Sequence, residues 1–330
     1  MPLTFFRLSQ CRSLSGLCLL MLVSVLPARA ETASEALPAL TISVLQFGTA
    51  HWELDHLQRA GLDRAEGFAL DVRLVANLPA SRLAVSSGDV EGAVADLLWA
   101  QARYEAGDPY VYLPFSSQIG DILVPPGSSV REVGDLIGQR IGVAGGPDSK
   151  GWILLQKVAE REGIDLDRQA SVQYAAPPLL SQALKRGQVD VLITYWHFAA
   201  RLRAEGEART AFRMADLLAA LDFDRDLPVL GYVFRADWAR DNADLLARFD
   251  RALTAAKAEL AASAEAWQAI RPLMRAEDDA TFEQLRSGFV EGTPQALTRE
   301  RIRNLQRLLA LTGTDQERVM PPELFFRPGP

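Results

Sequence analysis

Residues 140–163 have the pattern of a strand, a glycine-rich turn and a helix in immediate succession. Residues 141–144 form a short apolar run typical of a buried parallel strand, and the apolar residues that follow the turn recur at helical spacing. Gly145 and Gly146 lie where the period changes, and glycine there permits positive φ and close backbone approach. The turn therefore ends on a helix N-terminus, whose free N–H groups suit an anion or a polar ligand end. An ordinary βα connection has the same pattern.

Strand-like and helix-like patterns alternate along most of the chain, which favours doubly wound α/β sheets. The turn at 187–191 echoes the turn at 88–92, and we interpret this as a weak internal repeat. The sequence therefore predicts an α/β, two-lobed fold in which each lobe is a doubly wound sheet flanked by helices. We assign residues 31–125 and 229–330 to lobe 1 and residues 126–228 to lobe 2. The chain would cross between lobes after Val124 and near Val229, and such a double crossover is a hinge.

The first thirty residues differ from the rest of the chain. Two arginines precede an apolar run from Leu17 to Leu26, which is too short to span a bilayer comfortably. Residues 28–30 are typical of a cleavage site, so we expect a secretory signal peptide over residues 1–30 and a periplasmic mature protein. Cleavage would remove both cysteines, Cys11 and Cys18, and with them any disulfide or thiol chemistry.

The net negative charge of the chain limits the binding partners that we expect. The formal net charge is −7, and cleavage would make it −10 because the first thirty residues contain three arginines and no acidic residue. An acidic protein is a poor electrostatic partner for nucleic acid or an anionic membrane surface. We therefore expect a small-molecule ligand and no nucleic acid. We also expect a monomer.

Aromatic residues concentrate just after the predicted strands. Four of the six tryptophans occupy such positions, namely Trp52, Trp99, Trp152 and Trp196, and His51, Tyr195 and His197 are close to them in sequence. Ligands of open α/β sheets bind beyond the carboxyl ends of the strands, so these rings are predicted to line a cleft between the lobes. Each stacked ring contributes about 0.5–1.5 kcal/mol beyond area burial. Alternatively, Trp99 and Trp152 cover their own helices in the core.

A polar set accompanies these rings: Asp96, Ser116, Ser117, Gln118, Ser149 and Lys150. A few convergent polar groups in an aromatic pocket describe a binding site as well as an active site. The sequence contains no G-x-S-x-G, H-E-x-x-H or phosphate-loop motif, so we predict no enzymatic activity, no metal site and no cofactor. A periplasmic enzyme that uses Asp96 or His197 as an acid or base remains the alternative.

Three segments together carry a family resemblance: the strand ending at Phe47-Gly48, residues 86–96 and residues 133–143. They are similar to the solute-binding proteins of nitrate, sulfonate and taurine type ABC importers, which share a superfamily with proteins that bind or make a thiamine pyrimidine precursor. The resemblance implies a type II periplasmic binding fold that closes over a ligand and docks on a permease served by an ATPase.

The resemblance also implies ligand contacts from four loops. They correspond here to His51 and Trp52, Asp96 and Trp99, Asp148 to Lys150, and Tyr195 to His197. The pyrimidine synthases of the superfamily need a cysteine-rich motif, which the mature chain lacks. We therefore predict the substrate-binding component of an importer that captures a small organic solute, heteroaromatic or sulfonate-like. An enzyme, or a sensor or accessory protein outside transport, would use the same cleft.

Overall fold

The computed structural model describes residues 36–327, so the predicted signal peptide lies outside the described residues. The strands in chain order are β1 Ala39–Leu45, β2 Ala69–Val75, β3 Gly92–Asp96, β4 Tyr110–Ser116, β5 Asp121–Val124, β6 Arg140–Ala144, β7 Ser171–Ala175, β8 Val191–Thr194, β9 Arg209–Arg213 and β10 Leu230–Arg235.

Helices connect most of these strands and form the C-terminal region. They are α1 Ala50–Arg59, α2 Leu62–Ala65, α3 Leu78–Ser87, α4 Leu97–Glu105, α5 Lys150–Arg161, α6 Leu166–Gln169, α7 Pro177–Lys185, α8 Trp196–Ala204, α9 Met214–Ala220, α10 Ala236–Asp241, α11 Ala243–Ala262, α12 Ala264–Met274, α13 Asp279–Glu291 and α14 Arg299–Leu311. Within the described part of the chain, none of the helices combines the length and apolarity needed to cross a bilayer.

Two five-stranded sheets confirm the predicted two-lobed α/β fold. The strand order is β2-β1-β3-β10-β4 in the first sheet and β7-β6-β8-β5-β9 in the second. Parallel strands form one side of each sheet, and one antiparallel strand is inserted near the other side, β10 in the first sheet and β5 in the second. We refer to the first sheet with its helices as lobe 1 and to the second as lobe 2.

The first crossing between the sheets lies earlier than the sequence analysis predicted. We expected the crossing after Val124, but β5 pairs with β8 and β9 and so belongs to the second sheet. The chain therefore crosses between Ser116 and Asp121. Sequence pattern could not show this, because a four-residue buried strand fits either sheet until its hydrogen-bond partners are known.

Gly120 makes this crossing possible. Its φ is +141°, and a Cβ added there would stand 2.0 Å from the carbonyl oxygen of Thr194, the last residue of β8. A side chain at this position would collide with backbone, which cannot move aside cheaply. Glycine therefore lets the crossing chain pass directly against the end of β8.

The C-terminal helices complete the core. The apolar stripe of α11, which includes Leu245, Phe249 and Leu253, is buried against the first sheet together with α12 and α13. The apolar side chains of α14 are buried in a cluster that contains residues of both sheets, namely Ile302, Leu305, Leu308 and Leu309. Helix α8 also joins the lobes, because Ala199 packs in lobe 2 while Trp196 packs among lobe 1 residues.

Candidate functional site

Four helices begin at the carboxyl ends of parallel strands and carry most of the predicted site residues. Helices α1 and α4 follow β1 and β3 in lobe 1, and helices α5 and α8 follow β6 and β8 in lobe 2. Helix N-termini present unpaired N–H groups and a partial positive charge. The structure brings these four ends together in two groups, one charged and one aromatic.

Asp96 is the centre of the charged group. As the N-cap of α4 it accepts a hydrogen bond through Oδ1 from the backbone N–H of Trp99 at 2.9 Å. Its Oδ2 accepts a hydrogen bond from Arg82 of α3 at 2.5 Å and lies 3.3 Å from Nζ of Lys150. Lys150 is the first residue of α5, so this ion pair joins the two lobes.

The charged group is largely removed from solvent. The side chain of Asp96 is 7% exposed, and those of Arg82 and Lys150 are 26% and 22% exposed. Burial raises the pKa of the Asp96 carboxyl, but Lys150, Arg82 and the Trp99 N–H outweigh this effect and hold the pKa below its usual value. Two cations thus share one carboxylate that stays ionised at neutral pH.

Trp99 lies beside this cluster. Its ring is partly buried and packs against Tyr110 at a centroid distance of 4.9 Å, with the guanidinium of Arg82 5.9 Å from the ring centroid. The ring therefore packs on the first sheet and also borders the guanidinium of Arg82. Whether Trp99 contacts a ligand stays a prediction.

The glycine turn after β6 lies under Tyr195. Gly145 has φ of +95°, and a Cβ there would come within 2.9 Å of the Tyr195 hydroxyl oxygen. The pKa of Tyr195 is raised by burial and further by the nearby charges of Asp148 and Asp96. Asp148 itself is exposed, and the Ser149 N–H donates to the Gly146 carbonyl, closing the turn. The Tyr195 hydroxyl therefore lies near the charges of both Asp148 and Asp96.

The aromatic group joins the lobes through Trp52 and Trp196. Their ring centroids are 6.0 Å apart in an edge-to-face arrangement. Trp52 also contacts Trp267 and Phe289 at centroid distances of 6.4 and 6.0 Å. Both rings are buried, with 2% of Trp52 and 6% of Trp196 exposed. Trp52 follows β1 of the first sheet and Trp196 follows β8 of the second, and the two rings pack directly against each other.

Trp152 lies elsewhere, in the core, where the ring is 1% exposed. It belongs to the buried face of α5, so the alternative reading, in which it covers its own helix, describes its position. A helix whose apolar stripe includes Trp152, Leu155 and Val158 must bury all of them on one face.

Ser116 ends β4, and Ser117 and Gln118 begin the first crossing. The Ser116 hydroxyl accepts from the Gln118 N–H at 3.0 Å. Ser117 donates its backbone N–H and its hydroxyl to the carbonyl of Gly292, which follows α13, at 3.0 and 3.2 Å. The side chain of Gln118 lies against Gly292. These three residues fasten the crossing to α13.

The two histidines predicted for the site have different settings. Nδ1 of His51 is 3.3 Å from the carbonyl oxygen of Gln46 in the loop before α1. His197 is packed among the rings of Tyr195, Trp196 and Phe198. Burial, with a smaller contribution from Arg201, lowers the pKa of His197 to about 3, so its imidazole is neutral at physiological pH.

Two sets of charged residues are not among the predicted site residues. Arg82 is one, because an arginine within an exposed-looking helix carries no sign that it will reach Asp96 fourteen residues later. The second is a buried triad in lobe 1, in which Glu53 accepts a hydrogen bond from Tyr232 at 2.6 Å and pairs with Lys257. The position of Glu53 next to Trp52 at a helix start was the only available signal.

Residues 64–266 match the family model described as NMT1/THI5 like. The comparison with curated proteins found no significant match.

Solved structures share the fold over most of the chain. The periplasmic aliphatic sulphonate binding protein SsuA from Escherichia coli is 17% identical, with a TM-score of 0.68 over 83% of this chain and 91% of that protein. The alkanesulfonate-binding protein SsuA from Xanthomonas axonopodis pv. citri, bound to MOPS, is 19% identical, with a TM-score of 0.66 over 89% of this chain and 100% of that one. A cysteine-to-serine mutant of DSZB in complex with biphenyl-2-sulfinic acid is 15% identical, with a TM-score of 0.57 over 87% and 97% of the two chains. At these identities the likenesses establish the fold.

Proposed function

We propose that this chain, which belongs to the NMT1/THI5-like family, is the periplasmic substrate-binding component of an ABC importer. It would capture a small organic solute between its lobes and deliver the solute to a permease driven by an ATPase. Two of the structural neighbours are sulfonate-binding proteins, one of them described as periplasmic, which supports a solute-binding role.

The observation that carries this proposal is the ion pair between Lys150 and Asp96. It joins the lobes at the carboxyl ends of their parallel strands, the position at which open α/β sheets bind ligands. Charged side chains of both lobes therefore converge on one point together with Arg82. A solute held there would contact both lobes, as closure around a ligand requires.

The neighbouring rings favour a solute with an organic body. Trp99 borders Arg82, and Tyr195 lies over the glycine turn, so both offer ring surface next to the charges. Trp52 and Trp196 are buried against each other, and we therefore propose that the solute binds beside Trp99 and Tyr195 instead. A heteroaromatic or sulfonate-bearing solute fits this combination of cation and ring.

An enzymatic role in the same site has less support. Asp96 is saturated by Arg82, Lys150 and the Trp99 N–H, so its carboxylate is poorly suited to take up a proton. His197 is neutral, but its ring is surrounded by other rings rather than by an orienting carboxylate within the described residues. A sensor or accessory protein would use the same binding geometry, and neighbouring genes for a permease and an ATPase would argue against that role.

Mass spectrometry of small molecules released from the purified protein tests the proposal most directly. Titration of tryptophan fluorescence with pyrimidines, aromatic sulfonates and simple anions then gives the affinity. We expect Lys150→Met to weaken binding of the identified solute by about tenfold or more, since hydrogen bonds to charged groups are the strong ones. Lys157→Met, on the same helix but in an exposed pair with Glu160, serves as the matched control.

Two results would count against the proposal. Turnover of the bound molecule would indicate an enzyme. A response to nitrate or taurine alone would refute a ring-bearing solute while leaving solute binding intact.

A further inference from the structure

The charged cluster of Arg82, Asp96 and Lys150 contains one cation from each lobe and one carboxylate. Arg82 comes from α3 in lobe 1 and Lys150 from α5 in lobe 2, and both reach the same oxygen, Oδ2 of Asp96. The cluster therefore carries a net charge of +1 in a largely buried setting. Uncompensated positive charge in a buried site costs free energy unless further acceptors bind the cations.

The two oxygens of Asp96 have separate tasks. Oδ1 caps α4 by accepting the Trp99 N–H, and a neutral asparagine performs this task equally well. Oδ2 receives both cations, and this task requires the negative charge. The charge of Asp96 is therefore not explained by the local needs of the helix.

Two further donors belong to residues next to this cluster or in it. Nε of Arg82 is buried and has no acceptor among residues 36–327. The Tyr195 hydroxyl lies over the adjacent glycine turn, close enough for Asp96 to affect its pKa. An oxygen-rich anionic group at this point would find more donors than a single carboxylate oxygen uses.

We propose that Asp96 is an internal counter-ion that holds Arg82 and Lys150 in the absence of solute, and that an oxyanion group of the solute displaces it from Lys150 on binding. The proposal rests on the proposed solute-binding function. It adds that the affinity for the solute depends on competition between the solute's oxyanion group and the Asp96 carboxylate for Lys150. The interlobe ion pair is thus exchanged for a bridge through the solute, which links binding to the contact between the lobes.

The variant Asp96→Asn tests whether the Asp96 carboxylate competes with simple anions. Isothermal titration with methanesulfonate and with acetate, at constant ionic strength, compares the variant with the wild-type chain. We expect the variant to bind at least one of these anions about tenfold more tightly or better, because the competing charge is gone while the helix cap remains. A response to methanesulfonate alone indicates a sulfonate solute, and a response to acetate indicates a carboxylate.

Matched variants separate this effect from a general change of charge. Asp278→Asn makes the same change at the N-cap of α13, where the carboxyl accepts from the Thr281 N–H, and should leave anion affinity unchanged. The double variant Asp96→Asn with Lys150→Met should lose the gain. Asp96→Ser, which also retains a cap, replaces Asp96→Asn if that chain folds poorly.

Unchanged or weaker anion binding in a folded Asp96→Asn or Asp96→Ser variant would overturn the proposal. A gain that persists without Lys150, or that Asp278→Asn reproduces, would overturn it as well. None of these results affects the proposed function, which is tested on the wild-type chain through its co-purifying solute.

Discussion

The buried triad of Glu53, Tyr232 and Lys257 makes a quantitative prediction possible. The side chain of Glu53 is completely buried and that of Lys257 is 11% exposed. The Lys257 ammonium also lies 4.9 and 5.1 Å from the ring centroids of Phe115 and Phe289. We predict that Lys257→Met destabilises the fold because it leaves the Glu53 carboxylate without its cation.

The expected size follows from the burial of both partners. Removing one member of a buried, hydrogen-bonded ion pair costs about 3–5 kcal/mol, because the remaining charge is left uncompensated. Methionine retains most of the apolar stem of lysine, which limits the loss from packing. We therefore expect the free energy of unfolding at pH 7 to fall by about 3 kcal/mol, near the lower end of this range.

The loss should depend on pH. Burial raises the pKa of Glu53, and Lys257 and Tyr232 offset part of this rise, so removal of Lys257 raises the pKa further. A carboxyl with a higher pKa in the folded protein contributes stability that is present below the unfolded pKa and lost as pH rises through the folded pKa. The difference in free energy of unfolding between the wild-type chain and Lys257→Met should therefore become smaller as pH falls from 7 towards 4.5, the ordinary pKa of a glutamate carboxyl.

Urea unfolding followed by tryptophan fluorescence at pH 5 and pH 7.5 measures both effects. Lys157→Met provides the control, since it breaks an exposed pair with Glu160 and should change stability by less than about 0.5 kcal/mol. Equal losses in the two variants would refute the reasoning. If Lys257→Met lowers the free energy of unfolding by the same amount at both pH values, the effect cannot be assigned to Glu53.

Three further predictions concern the joint between the lobes. Trp196→Ala should cost about 3–5 kcal/mol in urea unfolding, because it leaves a cavity beside Trp52 and Gly288, and a loss below 1 kcal/mol would contradict this packing. Gly120→Ala should destabilise by more than about 2 kcal/mol in the same assay, whereas Gly127→Ala, where an added Cβ meets no atom within 4 Å, should be nearly neutral. The His197 resonance should not titrate between pH 8 and pH 5 in NMR spectra, since its pKa is about 3, and a midpoint near 6.5 would contradict its burial. Because the unfolded chain binds this proton and the folded protein does not, His197 costs stability as pH falls from about 6.5 to 3.

The sequence predicted the elements with strong periodicity. The strand, turn and helix predicted for residues 140–163 form β6 and α5. The helical spacing of apolar residues in α11 and α14 likewise corresponds to their buried faces. Strand β9 has no clear strand pattern, because RTAFR alternates weakly and lies at a sheet edge, where few positions must be apolar.

The candidate site was harder to predict than the fold. The sequence identified Asp96 and Lys150 separately, but their contact depends on two lobes meeting, which no local pattern encodes. It also could not tell a ring that faces a ligand from a ring that faces another ring, so Trp52 and Trp196 were expected in an open cleft. Both kinds of information belong to tertiary packing.

The strand orders have a consequence for synthesis of the chain. Strand β10 lies between β3 and β4, yet it is made after every strand of the second sheet. All strands of the second sheet can therefore pair before β10 is available to pair with β3 and β4. A nascent chain that stops before Leu230 would expose two unpaired strand edges, and a chaperone that shields those edges would act on this intermediate rather than on the finished protein.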